Sequence, residues 1–291
     1  MKLRALAPAT VANLGPGFDC LALALDLWNE FQVDTEAAPG IEVDGEGSDE
    51  VTHPAANLVV RTVERVAADA GVRAPVFALR SVNRVPLGRG LGSSATAVTA
   101  GVLLAEGLFG LRLTQDERLT LAVEIEGHPD NAAACLLGGL ALVHHDDAAD
   151  GPRAIRLEPH PSLRPVLLVA ETERVSTADA REALPAAVPL ATAVTTAARA
   201  ALAVIALTER PELLPGALAD VLHEPYRLPL APKAAAMHGL LRSLGYTVCL
   251  AGSGPSLLVF EPPDRPVPEP GPDWRVLRAA VASQGAHLRP G

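Results

Sequence analysis

Basic clusters, paired cysteines and long apolar runs are all missing from this 291-residue chain. Only two lysines, Lys2 and Lys233, stand among 24 basic residues, against 34 acidic ones, for a net charge of −10. Without a basic stretch, nucleic acid is not expected as a partner, because binding a phosphate backbone needs concentrated positive charge. The balance leaves room for a small anionic substrate, since a few local arginines outweigh a global charge. The preference for arginine over lysine reads as genome composition. Three cysteines, Cys20, Cys135 and Cys249, are far apart and form no CxxC pair. That argues against a disulfide framework and a thiolate zinc site, and fits a reducing compartment. The N-terminal residues are interrupted by Pro8, Asn13 and Gly15 too early for a signal peptide. The most apolar helical stretch, Ala197–Leu207, contains Arg199 and is shorter than a bilayer span, so no membrane partner is expected. The expected location is cytoplasmic.

Apolar residues make up 49% of the chain, enough for a sizeable core, and the length suits two domains. Helical spacing and stop signals predict helices over 57–71, 92–109, 114–126, 177–184, 189–208, 211–222, 233–244 and 273–284. Thr114 and Glu117 form a capping box. Strands are predicted over 3–7, 31–36, 76–82, 140–144, 165–170, 246–251 and 256–260. Six prolines in 261–273 predict a stiff surface loop. The polar segment 146–153 (DDAADGPR) marks a boundary between domains 1–150 and 151–291. The fold class is α+β with two domains.

Residues 85–96 read VPLGRGLGSSAT. Gly88, Gly90 and Gly92 permit positive φ and close approach of a ligand to the backbone. The loop runs into a long helix, whose free N–H groups and dipole attract an anion. Ser93 and Ser94 can bind phosphate or Mg²⁺, which prefers a few protein oxygens completed by phosphate and water. The loop lacks the GK[ST] of a Walker A motif and is not the GxGxxG dinucleotide pattern.

Three further segments accompany it in order: PATVANLGPGFD at 8–19, EIEGHPDN at 124–131 and CLAGSGPS at 249–256. Together the four elements resemble the GHMP kinase superfamily, and within it the homoserine kinases, from about Leu3 to Leu258. The resemblance implies a ribosomal-protein-S5-like N-terminal domain and a ferredoxin-like C-terminal domain. It implies transfer of the γ-phosphoryl group of ATP to the side-chain hydroxyl of L-homoserine, on the route to threonine. It also implies a homodimer, for which the sequence displays no interface.

The nucleotide loop of these enzymes maps onto Pro86, Leu87, Gly88, Arg89, Gly90, Leu91, Gly92, Ser93, Ser94, Ala95 and Thr96. Asn57 has two readings, an adenine-side contact and a helix N-cap. Arg89 reads either as charge at the triphosphate mouth or as a solvated loop arginine. The resemblance assigns Mg²⁺ to Ser94 and a preceding glutamate, with Glu126 preferred and Glu124 the alternative. For the substrate it implies Arg181 and Arg227 on the carboxylate, since a guanidinium fork suits a carboxylate. It adds Asn13, Asp19 and His128 as polar contacts. The aspartate base of other superfamily members falls at Asn131, which takes no proton near neutrality. Asp130 is the neighbouring candidate, and substrate positioning is expected to dominate catalysis. The GSGPS segment, Gly252 to Ser256, reads first as architecture.

Overall fold

The computed structural model describes residues 1–145 and 151–290. The predicted break at 146–153 therefore lies mostly outside the described residues. The strands are β1 Lys2–Asn13, β2 Gly17–Asp34, β3 Gly40–Gly45, β4 Ala78–Asn83, β5 Leu140–His145, β6 Pro152–Leu157, β7 Pro165–Ala170, β8 Thr247–Leu250, β9 Leu257–Phe260, β10 Trp274–Arg278 and β11 His287–Pro290. The helices are α1 Leu58–Asp69, α2 Ser93–Phe109, α3 Gln115–Glu126, α4 Pro129–Leu137, α5 Thr177–Glu182, α6 Leu190–Thr208, α7 Leu214–Ala217, α8 Glu224–Arg227 and α9 Pro232–Ser243.

Two sheets organise the α+β fold. The first has the order β11-β1-β2-β4-β3, with β5 pairing β2 and β6 pairing β5. Its pairs are antiparallel except β3–β4. The second is the antiparallel order β10-β7-β9-β8, which is the fourth-first-third-second arrangement of a ferredoxin-like unit. The β5–β6 hairpin spans residue 150 and β11 returns to the first sheet, so the two sheets do not divide the chain at 150.

Local signals explain the helices. Asn57 caps α1 by accepting the N–H groups of Val59 and Val60 at 3.0 and 3.3 Å. Thr114 and Glu117 complete the capping box on α3; such a cap contributes about 1 kcal/mol. α2, flanked by Gly92 and Gly110 in left-handed conformation, packs its small apolar residues into the core beside β1 and α1.

One predicted helix is absent and another is cut short. Over 273–284, Trp274–Arg278 instead pairs with β7 as β10. The following residues give their backbone groups to the first sheet: Asp26 N–H donates to Ala280 O at 2.8 Å, and Ala282 N–H to Ala24 O at 3.0 Å. Over 211–222, Pro215 and Gly216 leave only a short turn and α7, and the Asp220 carboxylate then takes the N–H groups of Leu222, His223 and Glu224. α6 also differs from expectation. At 19 residues it is long and apolar enough, by length and composition, to cross a membrane, with 17% of its most apolar window buried.

Candidate active site

The loop between β4 and α2 is folded back against two other motifs. All three of its glycines have positive φ, +63° at Gly88, +75° at Gly90 and +66° at Gly92. A Cβ on Gly90 would overlap the Ala251 carbonyl oxygen, and one on Gly92 would overlap the Thr10 hydroxyl. Gly88 faces open space instead. Thr10, from the first motif, also donates its N–H to Leu91 O at 3.1 Å and its hydroxyl to Asn131 Oδ1 at 2.7 Å. The first, second and third motifs thus meet at Gly92, while the GSGPS segment packs on Gly90. That supports the architectural reading of GSGPS.

Two clefts open beside this loop and share Gly88, Ser93 and Ser94 as walls. Ser94, in the first turn of α2, is exposed, and Ser93 is half-buried. Part of the expected nucleotide run does not face either cleft. Pro86 is buried, Ala95 and Thr96 are fully buried, and the Thr96 hydroxyl accepts Asn29 Nδ2 at 2.9 Å. These three are core residues. Leu87 and Asn57 line the second cleft; the Asn57 amide is at the same time the α1 cap and donates to Val51 O at 3.0 Å.

Arg89 corrects one of its sequence readings. It is 9% exposed, and its two terminal nitrogens donate to Glu173 O at 2.6 Å and Glu171 O at 2.9 Å. It is therefore not a solvated loop residue, although it still lines the first cleft. It fastens the glycine loop to the segment after β7. Burial holds its basicity below the ordinary arginine value.

The two candidate glutamates diverge. Glu126, the last residue of α3, is half-buried and accepts the Ser94 hydroxyl at 2.6 Å. Desolvation pushes its carboxyl above the usual range, against the lowering effect of that hydrogen bond. Glu124 points to the outer face, where Arg65 pairs with it at 2.8 Å. No group of three or more His, Cys, Asp or Glu side chains able to hold a metal ion occurs among the described residues. The Ser94–Glu126 oxygen pair fits Mg²⁺, which takes few protein ligands when phosphate supplies others.

The first cleft also gathers Asn13, Asp19, His128, Asp130, Asn131, Arg181 and Arg227. Asn13 donates Nδ2 to Gly252 O at 2.8 Å and accepts Asp19 N–H at 3.1 Å. Asp19 is gripped by both terminal nitrogens of Arg181 at 2.7 and 3.0 Å. Arg227 is 4% exposed and donates to Ala180 O at 3.2 Å and Gly252 O at 3.3 Å. His128 is half-buried, and desolvation followed by the charge of Arg181 holds its imidazole below the ordinary value, favouring the neutral ring. Asp130 is 2% exposed and accepts Asn131 N–H at 2.7 Å. Burial pushes its carboxyl up to about 7. Asn131 is occupied by Thr10, which makes it a structural link.

Residues outside the sequence-based set also line the clefts. Val175, Ser176 and Thr177 bound the first; Glu50 and Arg174 pair at 3.2 Å across the wall of the second. Ser176 and Thr177 open the STADAREALP segment that carries Arg181, and Ser176 caps α5; no motif marks Val175, Glu50 or Arg174.

Comparison with known proteins identifies the family. The family model for the GHMP kinases N terminal domain matches residues 57–139. The homoserine kinase of Streptomyces coelicolor is 41% identical, the alignment covering 99% of this chain and 94% of that protein. That of Mycobacterium tuberculosis is 43% identical over 88% of this chain and 83% of that protein. The crystal structure of homoserine kinase from Cytophaga hutchinsonii superposes with a TM-score of 0.82 at 26% identity, covering 99% of this chain and 97% of that one. Likeness at this level over nearly the full length goes beyond a shared fold: the chain belongs to the homoserine kinase family within the GHMP kinases.

Proposed function

We propose that this protein transfers the γ-phosphoryl group of ATP to the side-chain hydroxyl of L-homoserine, giving O-phospho-L-homoserine and ADP. One observation carries the reading: the guanidiniums of Arg181 and Arg227 line the same cleft as the loop from Gly88 to Ser94. A cleft that joins an anion-accepting loop to paired guanidiniums suits a nucleotide tail on one side and an amino-acid carboxylate on the other.

In this reading the adenosine occupies the second cleft, beside Asn57 and Leu87, and the triphosphate lies along the loop. The backbone N–H groups of the loop and the N-terminal end of α2 face the phosphates. Ser94 and Glu126 would hold Mg²⁺, which when bound would supply positive charge against the triphosphate. Arg227 takes the substrate carboxylate together with Arg181, and Asp19, Asn13 and His128 orient the ammonium and hydroxyl groups. Phosphoryl transfer asks for in-line placement and charge neutralisation more than covalent help from the protein. Asn131 supplies no base, and the hydroxyl proton leaves late, to phosphate. The enzyme acts in the cytoplasm, where ATP and free amino acids are available. The exposed apolar residues of α6, Leu190, Val194 and Ile205, suit the homodimer implied by the family.

Coupled ADP release with L-homoserine, L-threonine, mevalonate and galactose tests the assignment. Turnover confined to L-homoserine is expected. Turnover with mevalonate or galactose alone would make this a different small-molecule kinase. ATP binding with no turnover on any of the four would make it a silent binding protein.

Arg89 gives a second expected result. Because it holds carbonyls of the segment leading to Ser176 and Arg181, Arg89→Met should raise KM for homoserine about 10-fold, the scale of a lost charge-assisted hydrogen bond, and KM for ATP less than about 2-fold. The opposite split would return Arg89 to the triphosphate.

A further inference from the structure

Two guanidiniums sharing one cleft repel each other, and only one of them is paired directly with a carboxylate. Asp19 grips Arg181, whereas the hydrogen bonds of Arg227 go to main-chain carbonyls; burial first and then the charge of Arg181 disfavour its protonated form, against the attraction of Asp19, Asp130 and Asp220. What both arginines share is the ring of Phe18. The Arg227 guanidinium carbon lies 4.9 Å from the ring centroid and that of Arg181 lies 5.2 Å from it. An aromatic face attracts each cation through its quadrupole and so offsets part of their mutual repulsion.

Phe18 does not stand unsupported. The imidazole of His223 lies 5.3 Å from it, ring centre to ring centre, tilted by 32°. His223 is 0% exposed, and its Nε2 meets Gly15 O at 2.9 Å, which makes Nε2–H the donor. Its other nitrogen, Nδ1, is buried with no partner. Gly15 lies in the turn between β1 and β2, just before Phe18, and has φ +71°; a Cβ there would overlap the Leu218 carbonyl oxygen. His223 itself is locked in place. Asp220 accepts its N–H at 2.8 Å, and the adjoining Glu224 accepts Leu250 N–H at 2.7 Å and lies 3.3 Å from His238. A buried imidazole that leaves one nitrogen unpaired costs free energy; His223 bears that cost while it links the turn leading into Phe18 and Asp19 to the helix α8 carrying Arg227.

We infer that Phe18, clamped by His223, is a positioning residue that sets the spacing of the Arg181 and Arg227 guanidiniums and through them the selectivity for a carboxylate-bearing substrate. This rests on the proposed function. It adds two residues that touch neither nucleotide nor substrate.

The test compares kcat/KM for L-homoserine and L-homoserinamide, which lacks the carboxylate charge, in the full-length enzyme. The variants are Phe18→Leu, His223→Gln and the double. Glutamine keeps an N–H for Gly15 O but removes the ring. Wild type should prefer the acid. Each single variant should lower that preference about 10-fold, through KM for homoserine, with kcat and KM for ATP within about 2-fold. The double should be no worse than the worse single, because both act through one ring. Variants that keep the wild-type acid-to-amide ratio, whatever their melting temperature, would overturn the inference. A wild type that ignores the carboxylate would instead overturn the functional reading beneath it. Should Phe18→Leu fail to fold, the His223→Gln ratio decides alone.

Discussion

Replacing Glu126 by glutamine should lower kcat by about 100-fold or more, the scale seen when one preorganised electrostatic element of a phosphate or oxyanion site is lost. The surroundings of Glu126 give the reason. Its carboxylate is half-buried, its hydrogen bond comes from a neutral hydroxyl, and among the described residues no cationic side chain pairs with it. It also ends α3, where the helix dipole is negative. Everything around it except Ser94 disfavours the charge, and the raised carboxyl pKa records that. A divalent cation would relieve all of these costs at once. Titration calorimetry with Mg²⁺ and a non-hydrolysable ATP analogue should show weakened binding in the variant. Glu124→Gln is the control: an exposed pair with Arg65 contributes little, so activity should stay within about 2-fold. An inactive Glu124→Gln beside an active Glu126→Gln would reverse the assignment.

The second large effect is on stability. Asp130 is buried, and its carboxyl titrates at about 7 in the folded protein against an ordinary value of 3.8. Below pH 4 both folded and unfolded chains carry the proton, and the group has no net influence. Between pH 4 and 7 the folded chain keeps the proton and the unfolded chain releases it, so stability falls as pH rises. Above pH 7 the full cost of a buried charge remains, up to about 4 kcal/mol, since each tenfold change in proton affinity is worth about 1.4 kcal/mol. Asp130→Asn keeps an oxygen for the Asn131 N–H and has no charge to bury. Urea denaturation should find the variant more stable than wild type at pH 8 by a few kcal/mol and nearly equal at pH 4. Turnover should persist within about 10-fold, since removal of a true general base costs about 100-fold or more. Loss beyond that with KM for homoserine unchanged would make Asp130 the proton acceptor.

What the sequence disclosed depended on whether a residue's partners carry a signature of their own. Helices α1, α2 and α3 were readable because Asn57, Gly110 and the Thr114–Glu117 box mark their ends. Of β1 and β2 only the stretches 3–7 and 31–36 were. From Ala7 to Asn13 every residue is buried, so the strand has no polar face and no alternation to detect. β10 looked helical because Ala279 to Ala282 continue it with apolar residues, and only pairing with β7 and the first sheet decides otherwise.

The site followed the same division. The motif residues were visible as glycines, carboxylates and arginines, which are conspicuous at any position. The partners of Arg89 were invisible, because they are main-chain carbonyls more than eighty residues away and any amino acid supplies a carbonyl. The choice between Glu124 and Glu126 needed Arg65, from a different helix. Phe18 lies in plain view between Gly17 and Asp19, yet its neighbours come from 181, 223 and 227.

The return of β11 to the first sheet has a consequence for synthesis on the ribosome. Leu3 lies opposite Pro290 and Leu6 opposite His287, so β1 leaves the ribosome long before the strand that pairs with it. The first sheet cannot finish assembling in the order in which it is translated. The ferredoxin-like unit can complete its own pairing first, and the nascent β1 remains an open edge until β11 clears the exit tunnel.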